Sequence, residues 1–379
     1  MKAIINANVV MKDYVIRDGV ILLDGQFILE VGKAKDVQIP KDAEIIDAQN
    51  NFVGPGLVDI HTHAADNMWI FEQPEQTSAY LLKHGVTRVL PALYNNLNKE
   101  AYLSAIDNIL CAHNSGKFEN FAGFYMEGPY LSPDFGCERD KNVWKDAVVR
   151  EEYIDIVKKV KDTAKVWCFA PEREGIENFV EDVKAEIPNI AFAVAHSKAT
   201  PEQIEKYMPY GLKIATHHTN ATGTIEHYSE CRGVCVDEAV NYNKEIYAEL
   251  ISDRMGIHVV PYMQRLVRKI KGDDRIILIA DQFVCDGPIP KGFEEATDLH
   301  FDNAGEIAGS GLTLDIACQN FMFHTGCSVC DAFKFGSLNP ARAIGLTKYG
   351  YIYKGNYADL VIVDHLFNVK NVIFKGELL

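Results

Sequence analysis

The chain has 379 residues, a formal net charge of −15 and 47% apolar residues, which is too long for one minimal domain and apolar enough for a large core. Nucleic acid and anionic membrane need clustered Lys and Arg, so the acidic balance argues against both and leaves a small-molecule substrate as the expected partner. Nine cysteines, an odd number in a large chain, are expected to be free thiols in a reducing cytoplasm rather than a disulfide framework.

The N-terminal fifty-odd residues alternate short apolar runs with turn signals: AIINANVV, then VILLDGQFILEVG with Asp24-Gly25 at a turn, then AEIIDAQN. That pattern indicates antiparallel strands. Lys12 and Asp13 interrupt what a signal core would need, and no run approaches the ~20 apolar residues of a membrane span. The last thirty residues, GYIYKGNYADLVIVDHLFNVKNVIFKGELL, repeat the β-rich style. The two ends are therefore expected to join in a small β-sandwich domain, residues 1–54 and 347–379, beside a catalytic domain spanning 55–346.

Within that middle the pattern becomes strand then amphipathic helix. LVDIHTH, TRVLPALY, FAGFYMEGP, VWCFAPE, AFAVAHS, IATHHTN, YAELISDR and RIILIADQ are eight apolar strands, separated by helical stretches such as EAYLSAIDNILCAH, EEYIDIVKKVKDT and HVVPYMQRLVRKIKG. Such alternation predicts a parallel sheet covered on its outer face, and eight repeats predict a (β/α)8 barrel. Two long connections, about 221–243 and 283–312, follow strands that carry polar residues, so both are expected to be substrate loops.

The chemistry-bearing residues lie at the strand ends. His61 and His63 close the first strand, Glu127 the third, His196 the fifth, His217 the sixth and Asp281 the eighth. Two residues apart on a strand, His61 and His63 point to the same face. A lone His-x-His is a weak signal. Six ligand-type residues at strand ends of one barrel are a strong one, because active sites of this fold form where those ends converge. Imidazole and carboxylate suit zinc, iron or manganese, and no cysteine falls at these positions. Glu127 has the chemistry to bridge two ions or to ligate one, with His196 and His217 completing a pair, so one or two divalent metals are both open.

Other candidates read as structural. His84 and His113 fall on helices and His324 on a late helix, so surface or core roles are expected. His218 follows His217 directly and should point the other way, into packing. Cys327-x-x-Cys330 has no second pair with matching spacing, so buried thiols are expected. The EEAT run near residue 294 reads as a solvated loop.

The combination of Glu127-Gly128-Pro129, His196-Ser197-x-Ala199, Thr216-His217 with Asn220-Ala221, Gly309-Ser310-x-Leu312-Thr313 and Asn339-Pro340-Ala341-Arg342-Ala343 resembles the amidohydrolase superfamily and, within it, the N-acetylglucosamine-6-phosphate deacetylase family. The likeness covers essentially the whole chain. It implies metal binding through Glu127, His196 and His217, with a second site on His61 and His63. It also implies Asp281 as the acid/base, His258 as a substrate contact, phosphate contacts at Asn220 and Ala221, and a homodimer with shared active sites. Two departures stand out. Glu138 occupies the place of the family's sugar-touching loop histidine. The arginine that a neighbouring subunit offers to the phosphate matches His227 without gaps or Arg232 with a short insertion. Cyclic-amide hydrolases of the superfamily use a lysine on strand four, which VWCFAPE lacks. A metal-free scaffold is disfavoured by the presence of all six ligand-type residues.

Overall fold

The computed structural model describes residues 1–223 and 226–379, the side chains of Glu226 and His227 excepted. All eight expected barrel strands form, in order: Leu57–Thr62, Val86–Tyr94, Phe124–Glu127, Ala164–Phe169, Ala191–Val194, Leu212–Ala215, Tyr247–Ile251 and Ile276–Ile279. They pair in parallel, each with its predecessor in the chain. Nearly every residue in these strands is buried on both faces, which explains why they read as continuous apolar runs. The barrel closes between its first and last strands just beyond the ladder. Asp281 N donates to His61 O (2.9 Å) and His63 N to Gln282 O (3.0 Å). Three of the six residues singled out for chemistry, His61, His63 and Asp281, thus also join the two ends of the barrel through their backbones.

The outer helices form where caps and apolar spacing permit. Lys99–Asn114 starts at Asn98, whose side chain accepts from Ala101 N (2.8 Å), and buries Tyr102, Ala105, Ile106, Ile109 and Ala112 on one face. Such a cap contributes about 1 kcal/mol. Pro201–Tyr207 opens with a capping box between Thr200 and Gln203. The helix expected to include His258 begins only at Pro261, since proline favours the first helical position. His258 is left on the loop above the seventh strand.

The ends of the chain meet as the terminal patterns predict. Leu360–Val363 pairs antiparallel with Phe52–Pro55, Val363 opposite Phe52 and Leu360 opposite Pro55, within an eight-stranded sheet separate from the barrel. The far edge of that sheet, Phe27–Lys33, bonds to the segment leading into Leu360. Ile28 N donates to Asn356 O (2.9 Å) and Ala358 N to Gln26 O (2.8 Å). The sheet therefore curls back on itself around Ile4, Ile21, Ile28, Val53, Ile362 and Ile373. Among the described residues, no helix is long and apolar enough to cross a membrane.

Candidate active site

The barrel mouth gathers the six strand-end residues around one carboxylate. Glu127 Oε2 lies 2.9 Å from His63 Nε2 and 3.4 Å from His61 Nε2. Its Oε1 lies 3.1 Å from His196 Nε2 and 3.2 Å from His217 Nε2. Asp281 Oδ1 closes the first half, 3.4 Å from His63 Nε2 and 3.6 Å from His61 Nε2. All six side chains are buried, Asp281 the most open with 10% of its side chain exposed. Burial works to raise the Glu127 carboxyl, but His61, His196 and His217 outweigh it and hold the group well below the usual carboxylate range. For Asp281 burial is likewise overcome, by His61 and His63, which hold it at about 2.

This donor set fits divalent cations. In a four-coordinate site with bonds of roughly 2.0–2.1 Å, neighbouring donors stand about 3.3 Å apart. His196 Nε2 and His217 Nε2, 3.1 Å apart, both face Glu127 Oε1. Among the described residues, His61 Nε2 is buried without a hydrogen-bond partner although Glu127 Oε2 is 3.4 Å away, a ligand spacing and not a hydrogen bond. Two groups result, His61-His63-Glu127 and Glu127-His196-His217, with Glu127 common to both.

The ring orientations are fixed from behind. His63 Nδ1 faces Ala92 O at 3.1 Å and His61 Nδ1 faces Glu249 Oε2 at 3.3 Å. The backbone is also constrained. His196, His217 and Asp281 have φ of 41°, 30° and 49°, a region that costs non-glycine residues about 1–3 kcal/mol and recurs where surrounding structure holds a functional side chain in place. At Gly136, φ is 96° and an added Cβ would stand 2.8 Å from the His196 ring. Only a glycine lets the loop after the third strand press onto that ring.

A cavity of about 260 Å³ opens over the cluster and is lined by Asn220, Ala221 and His258 as well as by His63, Glu127, His196, His217 and Asp281. His258 is set by Asp253, whose Oδ2 lies 3.5 Å from its Nδ1 and accepts from its backbone N–H at 2.8 Å. Asn220 keeps a buried Nδ2 without a partner among the described residues, a donor available to a ligand. Arg232 does not join them. It is exposed and paired with Glu238, because residues 231–232 form a hairpin strand with 226–228 that stands away from the cavity. The His227 side chain lies outside the described residues. Glu138 also stays off the cavity lining, its carboxylate 2.5 Å from Lys141 Nζ.

Sequence reasoning missed Arg139 and Glu306, which line the cavity and pair with each other. Arg139 is the only arginine or lysine on that lining among the described residues. It directly follows the Glu138 departure, and that break in the family pattern was the one available signal. Tyr94 and Phe283 were missed too; they flank His63 edge-on, with ring centroids at 5.7 and 5.3 Å. The histidines read as structural are so. His84 pairs with Asp315 at 3.1 Å, His113 faces Phe118 O at 3.0 Å and His324 faces Asp253 O at 2.9 Å. His218 is buried away from the cluster, 3.6 Å from Asp237.

A barrel with carboxylate-bridged histidine pairs at the C-terminal ends of its strands has the arrangement of a metal-dependent hydrolase. The chain belongs to the amidohydrolase family, whose model matches residues 52–379. It is 27% identical to an N-acetylglucosamine-6-phosphate deacetylase of Haemophilus influenzae, over 99% of this chain and 98% of that one. It is 25% identical to an N-acetylgalactosamine-6-phosphate deacetylase of Escherichia coli O157:H7, over 89% and 90%. Among solved structures it resembles an N-acetylglucosamine-6-phosphate deacetylase from Thermotoga maritima, with a TM-score of 0.83, 25% identity and 99% of each chain covered.

Proposed function

We propose that this protein hydrolyses the acetamide of an N-acetylated amino sugar carrying a 6-phosphate, most directly N-acetylglucosamine 6-phosphate, to the free amine and acetate. The observation that carries the reading is the Glu127-bridged cluster with Asp281 at its open edge, 3.4 Å from His63 Nε2. The amidohydrolase relatives of similar length support the substrate class.

His61, His63, Glu127, His196 and His217 would hold one or two divalent ions, zinc or iron. The separate faces of the Glu127 carboxylate, each with its own histidine pair, support two. Such an ion supplies a more acidic water and a Lewis-acid centre for the amide carbonyl. Asp281, its Oδ1 at the open edge of the cluster 3.4 Å from His63 Nε2, takes the proton from the attacking water and returns it to the departing nitrogen, so that water and amide give carboxylate and amine. His258, held by Asp253, and the buried Nδ2 of Asn220 orient the sugar. Ala221 offers its backbone on the same wall.

A phosphate dianion requires a cation. Arg139, the guanidinium on the cavity wall, supports recognition within one chain. Arg232, exposed and paired with Glu238, would serve only from a second copy. An exposed stripe of Tyr262, Leu266 and Ile270, spaced four residues apart on the helix Pro261–Lys271, supports a homodimer, because apolar residues so clustered usually mark an interface. We take 55–346 as the catalytic unit and 1–54 with 347–379 as the small domain, consistent with the two separate sheets. Nine free cysteines support a cytoplasmic protein.

The test is acetate release from the 6-phosphates of N-acetylglucosamine and N-acetylgalactosamine and from the two unphosphorylated sugars. Turnover of a 6-phosphate, with the free sugar at least about tenfold poorer in kcat/KM, is expected from a charge-assisted contact. No acetate from any of the four would overturn the reading.

A further inference from the structure

Glu249 is a glutamate with 0% exposure in the middle of the seventh barrel strand, and the chemistry above gives it no role. We propose that it is the positioning residue that makes the His61-His63 half of the cluster a second divalent-cation site, acting through the His61 ring. The inference rests on the metal reading above.

A neutral imidazole carries one N–H, and the partner of that N–H decides which nitrogen keeps the lone pair. His61 Nδ1 lies 3.3 Å from Glu249 Oε2, so Nδ1 donates and Nε2 is left as the ligand atom. That Nε2 faces Glu127 Oε2 at 3.4 Å and Asp281 Oδ1 at 3.6 Å and has no hydrogen-bond partner among the described residues. The neighbouring His63 is oriented in the same sense, but by a neutral acceptor, Ala92 O, at 3.1 Å. An acidic side chain behind His61 does more than orient it: accepting the Nδ1–H hydrogen bond makes the imidazole a stronger donor to a cation.

Glu249 is itself fixed by other strands. Its Oε2 accepts from Tyr125 Oη at 3.1 Å and from the His217 backbone N–H at 3.4 Å. Tyr125 in turn lies 2.8 Å from Thr216 Oγ1 and stacks on the His61 ring, with centroids 4.3 Å apart. Glu249 is not on the cavity lining, so substrate does not reach it. On the His196-His217 side its hydrogen bond among the described residues goes to the His217 backbone and to neither ring, which confines its effect on ligand side chains to one half of the cluster.

The experiment measures zinc stoichiometry by elemental analysis, and the affinity of each equivalent by competition with a chromophoric chelator, in the full-length wild type, Glu249→Gln and His63→Asn. Wild type is expected to bind two equivalents. Glu249→Gln should keep one at wild-type affinity and weaken the other by about 10–100-fold, the usual effect of removing a ligand's outer partner. His63→Asn should remove that same weaker equivalent, and adding Glu249→Gln to it should change nothing further. A merely structural glutamate would lower the melting temperature of metal-free protein without weakening one equivalent selectively. If Glu249→Gln does not fold, Tyr125→Phe, which removes one donor to the same carboxylate, should weaken the second equivalent alone, by a smaller factor. Two equivalents of unchanged affinity in the variant that folds would overturn the role of Glu249, as would equal loss of both. A wild type that binds no ion would overturn the metal reading itself.

Discussion

The floor and the rim of the cavity are built on different principles. On the floor, Glu127, His61, His63, His196, His217 and Asp281 sit at strand ends, buried, with ring nitrogens and carboxylate oxygens 2.9–3.6 Å apart. Their backbones belong to the barrel or close it. On the rim, Arg139 and Glu306 pair across two loops with 43% and 41% of their side chains exposed. Floor geometry is set by the parallel ladder and is expensive to disturb. Rim geometry is set by side chains that have water as an alternative partner, so a ligand can reorganise it. On the proposed function, chemistry belongs to the floor and substrate choice to the rim.

The sharpest way to break that division is at its centre. Glu127→Ala removes the carboxylate shared by both histidine pairs, and metal content is expected to fall below about a tenth of an equivalent, with activity lost alongside. Elemental analysis of folded, chelator-free protein decides it; near-stoichiometric metal would show that the pairs bind independently.

Next in size is Asp281→Asn, which keeps the volume and one oxygen but loses the basicity. Expected is a fall in kcat of about two to four orders of magnitude, with metal retained at His196 and His217. A variant that keeps more than a third of wild-type kcat, with its metal in place, would rule out proton transfer by Asp281.

Arg139→Ala tests the rim. KM for a 6-phosphorylated substrate should rise roughly 10–100-fold, the worth of a charge-assisted hydrogen bond, and KM for the unphosphorylated sugar should barely move. Arg232→Ala run in parallel sharpens the result. If its effect exceeds that of Arg139→Ala, the phosphate is read by a second subunit.

The smallest effect lies behind the rim. Asp237, half-buried in the helix Val236–Tyr242, has its carboxyl pushed up by burial to about 6 from 3.8. With the folded value above the unfolded one, its contribution is fully present below about pH 3.8 and lost as pH rises through about 6. Asp237→Asn is therefore expected to stabilise the protein by about 1–2 kcal/mol at pH 7.5, less than the whole shift because the side chain is partly exposed, and by nothing near pH 3.5. Denaturant unfolding at the two pH values checks this, and an equal gain at both would contradict it.

Much of the floor is legible in the amino-acid order alone. Strands bounded by His, Glu or Asp, alternating with amphipathic helices, leave few folds that bring such ends together, and all six ligand-type residues converge as that reasoning requires. His84, His113, His218 and His324 are set apart from the ligands for equally local reasons. The rim is not legible in the same way. Arg139 is one charged residue among several in CERDKN, and no periodicity marks the one that turns inward. Arg232 looks eligible by its place in the order of motifs, yet its hairpin holds it in solvent beside Glu238.

Glu249 marks the boundary most clearly. The sequence shows a glutamate inside an apolar strand, YAELISDR, and alternation places it on one face of that strand. Its meaning comes from a histidine 188 positions away. By itself the sequence determined which strands exist, which residues end them and therefore what chemistry the barrel mouth can hold, because strand burial and parity are local properties of the chain. Tertiary structure alone decided which carboxylate stands behind which ring, and which loop cation reaches the cavity. Those outcomes depend on barrel closure and on how loops from distant strands pack, and no short stretch of sequence encodes either.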